Sequence, residues 1–309
     1  MQYIVPNEQN GLILREYLLR QLGLSHRLLT RLKQTPGGIL LNGAPVTVRA
    51  ILKAGDILVL ATEDTDHTPR GHVAVGHSLP DILYEDEHIF VCNKPHGMPT
   101  HPSHGHIDDT LANALAHYET LTSKRPGVFR PVNRLDRDTS GVVLIARHQL
   151  AAARLSVSMQ AGSIRKQYLA ILEGQLPATK GDVTAPIRRA EKSIITREIC
   201  APDSPGAHAA HTHYEMISQW KIDERTRTLA RAFPLTGRTH QLRLHFAHIG
   251  APIVGDTLYG AEFCNGLAPA RHMLHAYSLA FPHPITNQRM VIIAPLGEDM
   301  RGLLPSYVL

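Results

Sequence analysis

Five consecutive apolar residues, Val142 to Ala146, follow a cluster of four charges, Arg134, Asp136, Arg137 and Asp138, in the segment PVNRLDRDTSGVVLIAR. A run with no polar face reads as a strand buried inside a sheet. Around it, segments of strand and helix type interleave. Ile82–Tyr84, Ile89–Asn93 and Lys166–Glu173 have the make-up of strands. Leu111, Leu115 and Tyr118 mark one helix, and an alanine-rich stretch reaching Gln160 marks another. This interleaving predicts a mixed α/β or α+β architecture and leaves the strand order unread.

The start of the chain reads as a separate module. Leu14, Leu18 and Leu22 recur at i, i+4 and i+8, an amphipathic helix. Ser25 is placed to cap a second helix, His26–Gln34, with Leu28, Leu29 and Leu32 facing inward and Arg27, Arg31 and Gln34 opposite. Asn42-Gly43 predicts a hairpin between Ile39–Leu41 and Val46–Val48, and Ile57–Leu60 reads as a last strand. Between residues 10 and 60, Arg15, Arg20, Arg27, Arg31, Lys33, Arg49 and Lys53 face only Glu16 and Asp56. Such a surface suits phosphate, although a solvated helix face would look the same. The polar, Gly- and Pro-dotted residues 63–80 read as a linker. The expected division is a module at 1–62, the linker at 63–80 and a larger domain at 81–309.

Within the charged cluster, Asp136 sits two residues from Arg134. In an extended segment the two side chains share a face. An arginine at about 4–6 Å lowers a carboxylate pKa by roughly 1–3 units, so Asp136 would stay ionised, as a nucleophile must. An ion pair closing a loop would use the same residues. Asp138, ahead of Thr139-Ser140-Gly141, reads as a turn residue bonding nearby backbone amides. Farther on, alternation in Arg165–Tyr168 puts Lys166 and Tyr168 on one face. A tyrosine there can stack on a flat ring and offer its hydroxyl as a proton relay; a half-buried strand tyrosine is the plainer reading. In LTGRTHQLRLHFAHIGAPIVGDTLYG, Leu242, Phe246 and Ile249 form the inner stripe of a helix that Gly250 stops. That helix presents Arg238 and Arg243 near its N-terminus, where anions bind.

Composition narrows the function classes. The net charge of +5 favours an anionic partner. The three cysteines, Cys92, Cys200 and Cys264, are scattered and form no CxxC, which points to a reducing compartment and away from a thiolate metal site. No signal-peptide pattern opens the chain, and no apolar run approaches the ~18 residues that span a bilayer. The expectation is a cytoplasmic protein with no membrane partner. His101, His104, His106, Asp108 and Asp109 resemble a zinc run. They end at a helix start, where carboxylates cap amides, so no metal is expected. Asp138-Thr139-Ser140-Gly141 looks like the catalytic turn of aspartic proteases, but those need two carboxylates sharing a proton.

The blocks NRLDRDTSG (Asn133–Gly141), RKQYLAILEG (Arg165–Gly174) and TGRTHQLRLHFAHIGAPIVGDTLYG (Thr236–Gly260) together resemble the RluA-type pseudouridine synthases. YEDEHIFVCNKPHGMPTHPS (Tyr84–Ser103) and HMLHAYSLAFPHP (His272–Pro284) extend the resemblance from about Ile82 to Pro295. The N-terminal module resembles the S-four-like RNA-binding domain often fused in front. Asn133 departs from the family pattern, which commonly has His there. The resemblance implies an α+β fold, with a mixed, largely antiparallel central sheet flanked by helices and a small N-terminal α/β module. It implies cofactor-free isomerisation of uridine to pseudouridine by a monomer, in large-subunit ribosomal RNA first and transfer RNA as the alternative. It makes Asp136 the nucleophile, Arg134 and Arg243 its cations and Tyr168 the flat residue against the base. Arg137, Lys166, Arg238, His240 and Gln241 would contact RNA in the catalytic domain, and Arg27, Arg31 and Lys33 in the module. From a different class, a non-catalytic RNA-binding protein would need only the basic module.

Overall fold

The computed structural model describes residues 1–61, 73–122, 127–191, 193, 195–222, 225–260 and 269–307. Most of the expected linker, residues 63–72, lies outside the described residues, as does Cys264.

The N-terminal part contains β1 (Gln2–Ile4), α1 (Leu14–Glu16), α2 (His26–Gln34), β2 (Ile39–Leu41), β3 (Ala44–Pro45) and β4 (Ile57–Leu60). Its sheet has the order β1-β4-β2-β3 and is antiparallel throughout. Leu14, Leu18 and Leu22 are buried as their spacing predicts, but α1 passes into a π-helical stretch, Tyr17–Gln21. Ser25 caps α2, its Oγ accepting the Leu28 N–H at 3.2 Å. Asn42 and Gly43 hold φ values of 51° and 81°, the paired positive values of a two-residue hairpin. The returning strand is therefore Ala44–Pro45, two residues earlier than the expected Val46–Val48. Leu41 lies opposite Ala44, and Pro45 has no N–H to extend the ladder.

The larger part begins with β5 (Asp81–Glu85), β6 (Ile89–Lys94), α3 (Leu111–Thr122), β7 (Ser140–Ala146), α4 (Gln149–Gln160) and β8 (Arg165–Glu173). It continues with β9 (Lys180–Thr184), β10 (Ile187–Arg189), β11 (Arg197–Ile199), β12 (His211–Ile222) and β13 (Arg225–Pro234). It ends with α5 (Gln241–His248), β14 (Leu274–Pro282), β15 (Arg289–Ile293) and α6 (Glu298–Arg301). The central sheet runs β5-β6-β7-β14-β8-β13-β12-β9, with β15 also on β14. Among the described strands only β7 and β14 pair in parallel, so the sheet is mixed and largely antiparallel, as expected. Val143 and Ile145 of β7 join a cluster with Phe90, Cys92 and the α3 residues Leu111 and Leu115. Val142, Leu144 and Ala146 join another with Ile89, Val91 and the α4 residues Ala151 and Leu155. Burial on both faces explains why the β7 sequence shows no alternation.

Residues 130–133 run along the edge of β7. The Val132 N–H donates to the Leu144 carbonyl at 2.8 Å, and the Ala146 N–H to the Arg130 carbonyl at 2.9 Å. Asn133 continues that edge with its side chain: Nδ2 donates to the Val142 carbonyl at 3.0 Å and Oδ1 accepts the Leu144 N–H at 2.9 Å. Asparagine at this position is thus part of the sheet's hydrogen bonding.

Gly141 marks the close approach of β7 and β14. Its φ is 114°, and a Cβ there would run into the Ala276 carbonyl oxygen. Gly141→Ala is expected to destabilise by about 1–3 kcal/mol, read as a lower denaturant midpoint at unchanged m-value. A wild-type midpoint would show that the two strands can part at little cost.

The N-terminal module is seated on the larger part. Leu150 of α4 is fully buried within the module's apolar cluster, and Ala153 and Ile285 pack against that cluster. Arg154 donates from Nε to the Leu22 carbonyl at 2.8 Å and from Nη1 to the Pro284 carbonyl at 2.9 Å, tying both sides together. The described end of the expected linker is also held: the Gly76 N–H donates to the Asn113 carbonyl, and Asn113 Nδ2 to the Ala74 carbonyl. Among the described residues no helix is long and apolar enough to cross a membrane.

Candidate active site

Asp136 is presented by a loop fixed on two sides. The Thr100 hydroxyl accepts the Leu135 N–H at 3.1 Å and donates to the Leu135 carbonyl at 2.9 Å. The Thr139 N–H donates to the Asp136 carbonyl at 3.1 Å and closes a turn. Under the loop, the fully buried Lys94 donates to the carbonyls of Pro95, Met98 and Arg137 at 2.8, 2.6 and 2.9 Å. Burial draws the Lys94 ammonium down to about 7, against the pull of Asp136 and Asp138. Three carbonyl partners are filled only by three N–H groups, however, and an amine has two. The charged form therefore fits this site.

The turn displays Asp136 in a cleft of about 630 Å³. Of the residues predicted from sequence, Arg134, Asp136, Lys166, Tyr168, Arg238, His240, Gln241 and Arg243 all line this cleft. They come from the 134–139 turn, β8, and the 236–243 segment that starts α5. Arg137, Arg27, Arg31 and Lys33 are not among its lining residues. Arg137 is exposed and holds Asp138 from Nε and Nη2 at 3.2 and 3.1 Å. The last three lie on α2, in the module.

The expected pairing of Asp136 with Arg134 is replaced by another. Arg134 is exposed at the rim. The chain turns at Asp136, whose Oδ2 faces Arg243 Nη1 at 3.8 Å and His240 Nε2 at 4.0 Å. Asp138, expected to bond backbone amides, instead takes the Arg137 guanidinium, and the Asp136 carbonyl closes the turn. Gln241 is also corrected: it is buried and its amide is fully occupied. Its Oε1 accepts the Thr236 hydroxyl and the Arg238 N–H at 2.7 and 3.0 Å, and its Nε2 donates to the His211 carbonyl and Thr212 Oγ1 at 2.9 and 3.0 Å. It shapes the 236–238 turn from behind and has no donor to spare for RNA.

Arg243 is itself held in place. Its Nε and Nη2 each lie 2.7 Å from the two oxygens of Asp256, a bidentate fork. Asp256 also accepts the Leu258 and Tyr259 N–H groups at 3.0 and 3.1 Å. Burial alone would raise the Asp256 pKa, but the Arg243 bonds outweigh it and hold the carboxylate below its usual range. The fork leaves Nη1 facing Asp136. The Tyr259 ring lies 5.1 Å from the guanidinium carbon, a cation–π contact.

His240 takes the N-cap position of α5 with φ 58° and ψ 16°, a left-handed conformation that costs energy for a residue with a side chain. Its Nδ1 lies 2.7 Å from the Tyr259 hydroxyl, which already accepts the Arg197 N–H at 2.9 Å. With that hydroxyl donating to Nδ1, the imidazole proton sits on Nε2, toward Asp136. Burial lowers the His240 pKa by more than Asp136 raises it, and the ring is a neutral donor at pH 7.

Tyr168 is only 9% exposed. Burial first, and the Asp136 charge second, push its hydroxyl above the usual tyrosine range. Lys166, two residues back on β8, is lowered by burial. At α5's other end Gly250, with φ 79°, stops the helix as predicted: its N–H donates to Ala247, and that of Ala251 to Phe246. In the histidine run His106 Nδ1 pairs with Asp109 at 2.7 Å, and among the described residues no three His, Cys, Asp or Glu are grouped to hold an ion.

Sequence reasoning missed Asp256, Tyr259, Thr100 and Lys94. GDTLYG read as turn chemistry, and nothing in spacing says that its aspartate clamps an arginine 13 residues earlier. A lysine ending the apolar strand IFVCNK did carry a signal of burial.

The comparisons with known proteins converge with this geometry. A family model described as RNA pseudouridylate synthase matches residues 88–248, a span holding every cleft residue named above. The chain is similar to an RNA pseudouridine synthase of Bacillus subtilis, YjbO, at 38% identity over 92% of this chain and 95% of that one. It is similar to the ribosomal large subunit pseudouridine synthase D of Xylella fastidiosa, at 38% identity over 87% and 80% of the two chains. Human RNA pseudouridylate synthase domain containing 1 shares its architecture, with a TM-score of 0.58 and 28% identity over 70% of this chain and 83% of that one. Motif blocks, sheet and cleft agree with these likenesses, and the chain belongs to the RNA pseudouridylate synthase family, as an RNA-modifying isomerase.

Proposed function

We propose that this enzyme isomerises specific uridines of large-subunit ribosomal RNA, with Asp136 as nucleophile and no cofactor. The observation that carries the reading is the Asp136 carboxylate, set between Arg243 and His240 in a cleft that Tyr168 also lines. The cleft's volume of about 630 Å³ falls in the range of sites that take small molecules. The ribosomal target is supported by similar proteins named ribosomal large subunit pseudouridine synthase D, at 38% identity in Xylella fastidiosa and 34% in Pseudomonas aeruginosa.

The reaction breaks the bond from N1 of the base to C1′ of the ribose. The base turns, and C5 bonds to C1′. C5 loses a proton and N1 gains one, so atoms and electrons balance within the substrate. That balance is the same whichever carbon the carboxylate attacks. Asp136 supplies the electron pair, and Arg243 holds it in place. The uridine must leave its stack, at a cost of a few kcal/mol. Arg134, Arg238 and Lys166 at the cleft, with Arg27, Arg31 and Lys33 on α2, offset that cost by gripping phosphates. Tyr168 keeps its proton at neutral pH, so it acts as a relay: its oxygen takes the C5 proton as its own passes to the Asp136 carboxylate, which is free again once C5 has bonded to C1′ and whose charge already acts on that hydroxyl.

Tyr168→Phe keeps the ring and removes the hydroxyl. Single-turnover conversion is expected to slow by about 10²–10⁴-fold with RNA affinity retained; wild-type rates would end the relay role. The target is tested by comparing pseudouridine maps of cells with and without the protein. Loss of one or a few positions in large-subunit ribosomal RNA supports the reading. An intact map there, with a loss in transfer RNA, transfers the assignment.

A further inference from the structure

Among the described strands β10 and β11 pair with each other, as a two-stranded ribbon apart from the central sheet, and Ile187 of β10 also bridges His208. Between this ribbon, the loop at Pro205–His208 and the turn at Gly237–Thr239 lies a second cleft of about 600 Å³. Arg188, Arg189, Arg197, His208 and Arg238 line it, and among the described residues no Asp or Glu does. Gly237, Arg238 and Thr239 line both clefts, so the second continues the first across one turn.

The arginines are not equivalent. Arg188 is engaged by Glu198 at 2.7 Å and Glu191 at 3.7 Å. Arg197 donates to the Ile195 and Thr196 carbonyls. Arg238 donates from Nε to the Ala209 carbonyl at 3.1 Å and remains exposed. Arg189 is exposed and, among the described residues, enters no ion pair.

We propose that the second cleft is a phosphodiester subsite, seating the RNA strand beside the target uridine with its phosphates on Arg189 and Arg238. This rests on reading the first cleft as the uridine site. The chemistry selects the ligand. Among the described residues no Phe, Tyr or Trp lines the second cleft, so these residues offer no platform for stacking bases. An acidic protein partner would want an apolar or aromatic centre to its contact, and among the described residues the cleft offers only Pro205 and the buried Ile187. What remains, among the described residues, is a cleft lined by guanidinium groups and no carboxylate beside a nucleotide-sized one, which suits a regularly charged backbone. Arg197 connects the two clefts: it lines the second, and its backbone N–H holds the Tyr259 hydroxyl that bonds His240.

The test measures binding of the full chain to a large-subunit RNA transcript over a range of salt, for wild type, Arg189→Ala, Arg189→Glu and Arg189→Lys. Melting temperatures report folding. One lost phosphate contact lowers the slope of log affinity against log salt by about 0.7–0.9. Arg189→Ala is expected to show that loss with weaker binding and a wild-type melting temperature, Arg189→Glu to bind more weakly still, and Arg189→Lys to restore the slope. Wild-type affinity and slope in both Arg189→Ala and Arg189→Glu would overturn the subsite, including the case where the cleft serves a protein. Failure of the uridine reading looks different: the wild type would form no pseudouridine in any RNA, while the change in slope on Arg189→Ala would still support the phosphate subsite.

Discussion

Asp136→Asn is expected to abolish pseudouridine formation and to leave RNA binding intact. Asparagine has nearly the shape of aspartate and can still turn an oxygen toward His240 Nε2 and Arg243 Nη1. It cannot supply the carboxylate electron pair. Removing a nucleophile costs on the order of 10⁴–10⁶ in turnover in enzymes where this has been dissected, so conversion should fall below detection. Affinity should hold or rise slightly, because a negative charge leaves the surface that meets a polyanion. The variant should also fold: Asp136 is part-exposed, with 29% of its side chain accessible, and its loop is held by Thr100, Thr139 and Lys94 through backbone groups. Conversion and filter binding of one transcript by both proteins decide the matter. Undiminished conversion by Asp136→Asn would remove this residue from the chemistry.

The second large effect is expected at Asp256. Asp256→Ala leaves the Arg243 guanidinium buried without its counter-charge. Removing one partner of a buried, hydrogen-bonded pair costs about 3–5 kcal/mol. The same change frees the guanidinium to swing away from Asp136, so activity should fall further than the loss of folded protein explains. Arg243→Lys separates the two effects: a point charge remains near Asp256, but one ammonium cannot span two carboxylates with a fixed fork. It is expected to retain more stability than Asp256→Ala and still lose most activity. The acid dependence has a definite sign. The folded pKa of Asp256 is depressed, so its contribution is fully present above the ordinary aspartate value of about 3.9 and is lost as pH falls through the folded value. Asp256→Asn should lack that part of the acid transition. Urea midpoints across pH, with conversion measured alongside, test all three; an Asp256→Ala midpoint equal to wild type would show that the pair holds nothing.

What could be read from sequence was local. The lack of alternation in Val142–Ala146 gave a strand covered on both faces, because a single residue period records both neighbours. Ser25, Asn42-Gly43 and Gly250 each act within a few residues of themselves, and each does in the fold what its chemistry predicts. The site was legible as a set of residue types but not as a set of pairs. Arg134 lies two residues from Asp136, yet Arg243, more than a hundred residues away, faces the carboxylate, because the turn at Asp136 points the side chain at α5. Gln241 resembled an RNA contact because it is polar and starts a helix. Its burial depends on His211 and Thr212 in β12, which no local pattern announces. Leu150 stands in an alanine-rich helix with two apolar sides, and sequence does not say that one of them belongs to the module.

That placement of Leu150 has a mechanical consequence. A domain on a slack tether samples many distances and lets its ligand choose among them. Here the basic helix and the cleft are joined through α4, with Leu150 buried in the module's core and Arg154 bonded to carbonyls on both sides. Any RNA that touches both must hold two of its own surfaces at one preset separation. On the proposed grip of α2 on phosphate, a folded RNA meets that demand where a loose strand of the same sequence does not, and shape at a distance joins what selects the uridine.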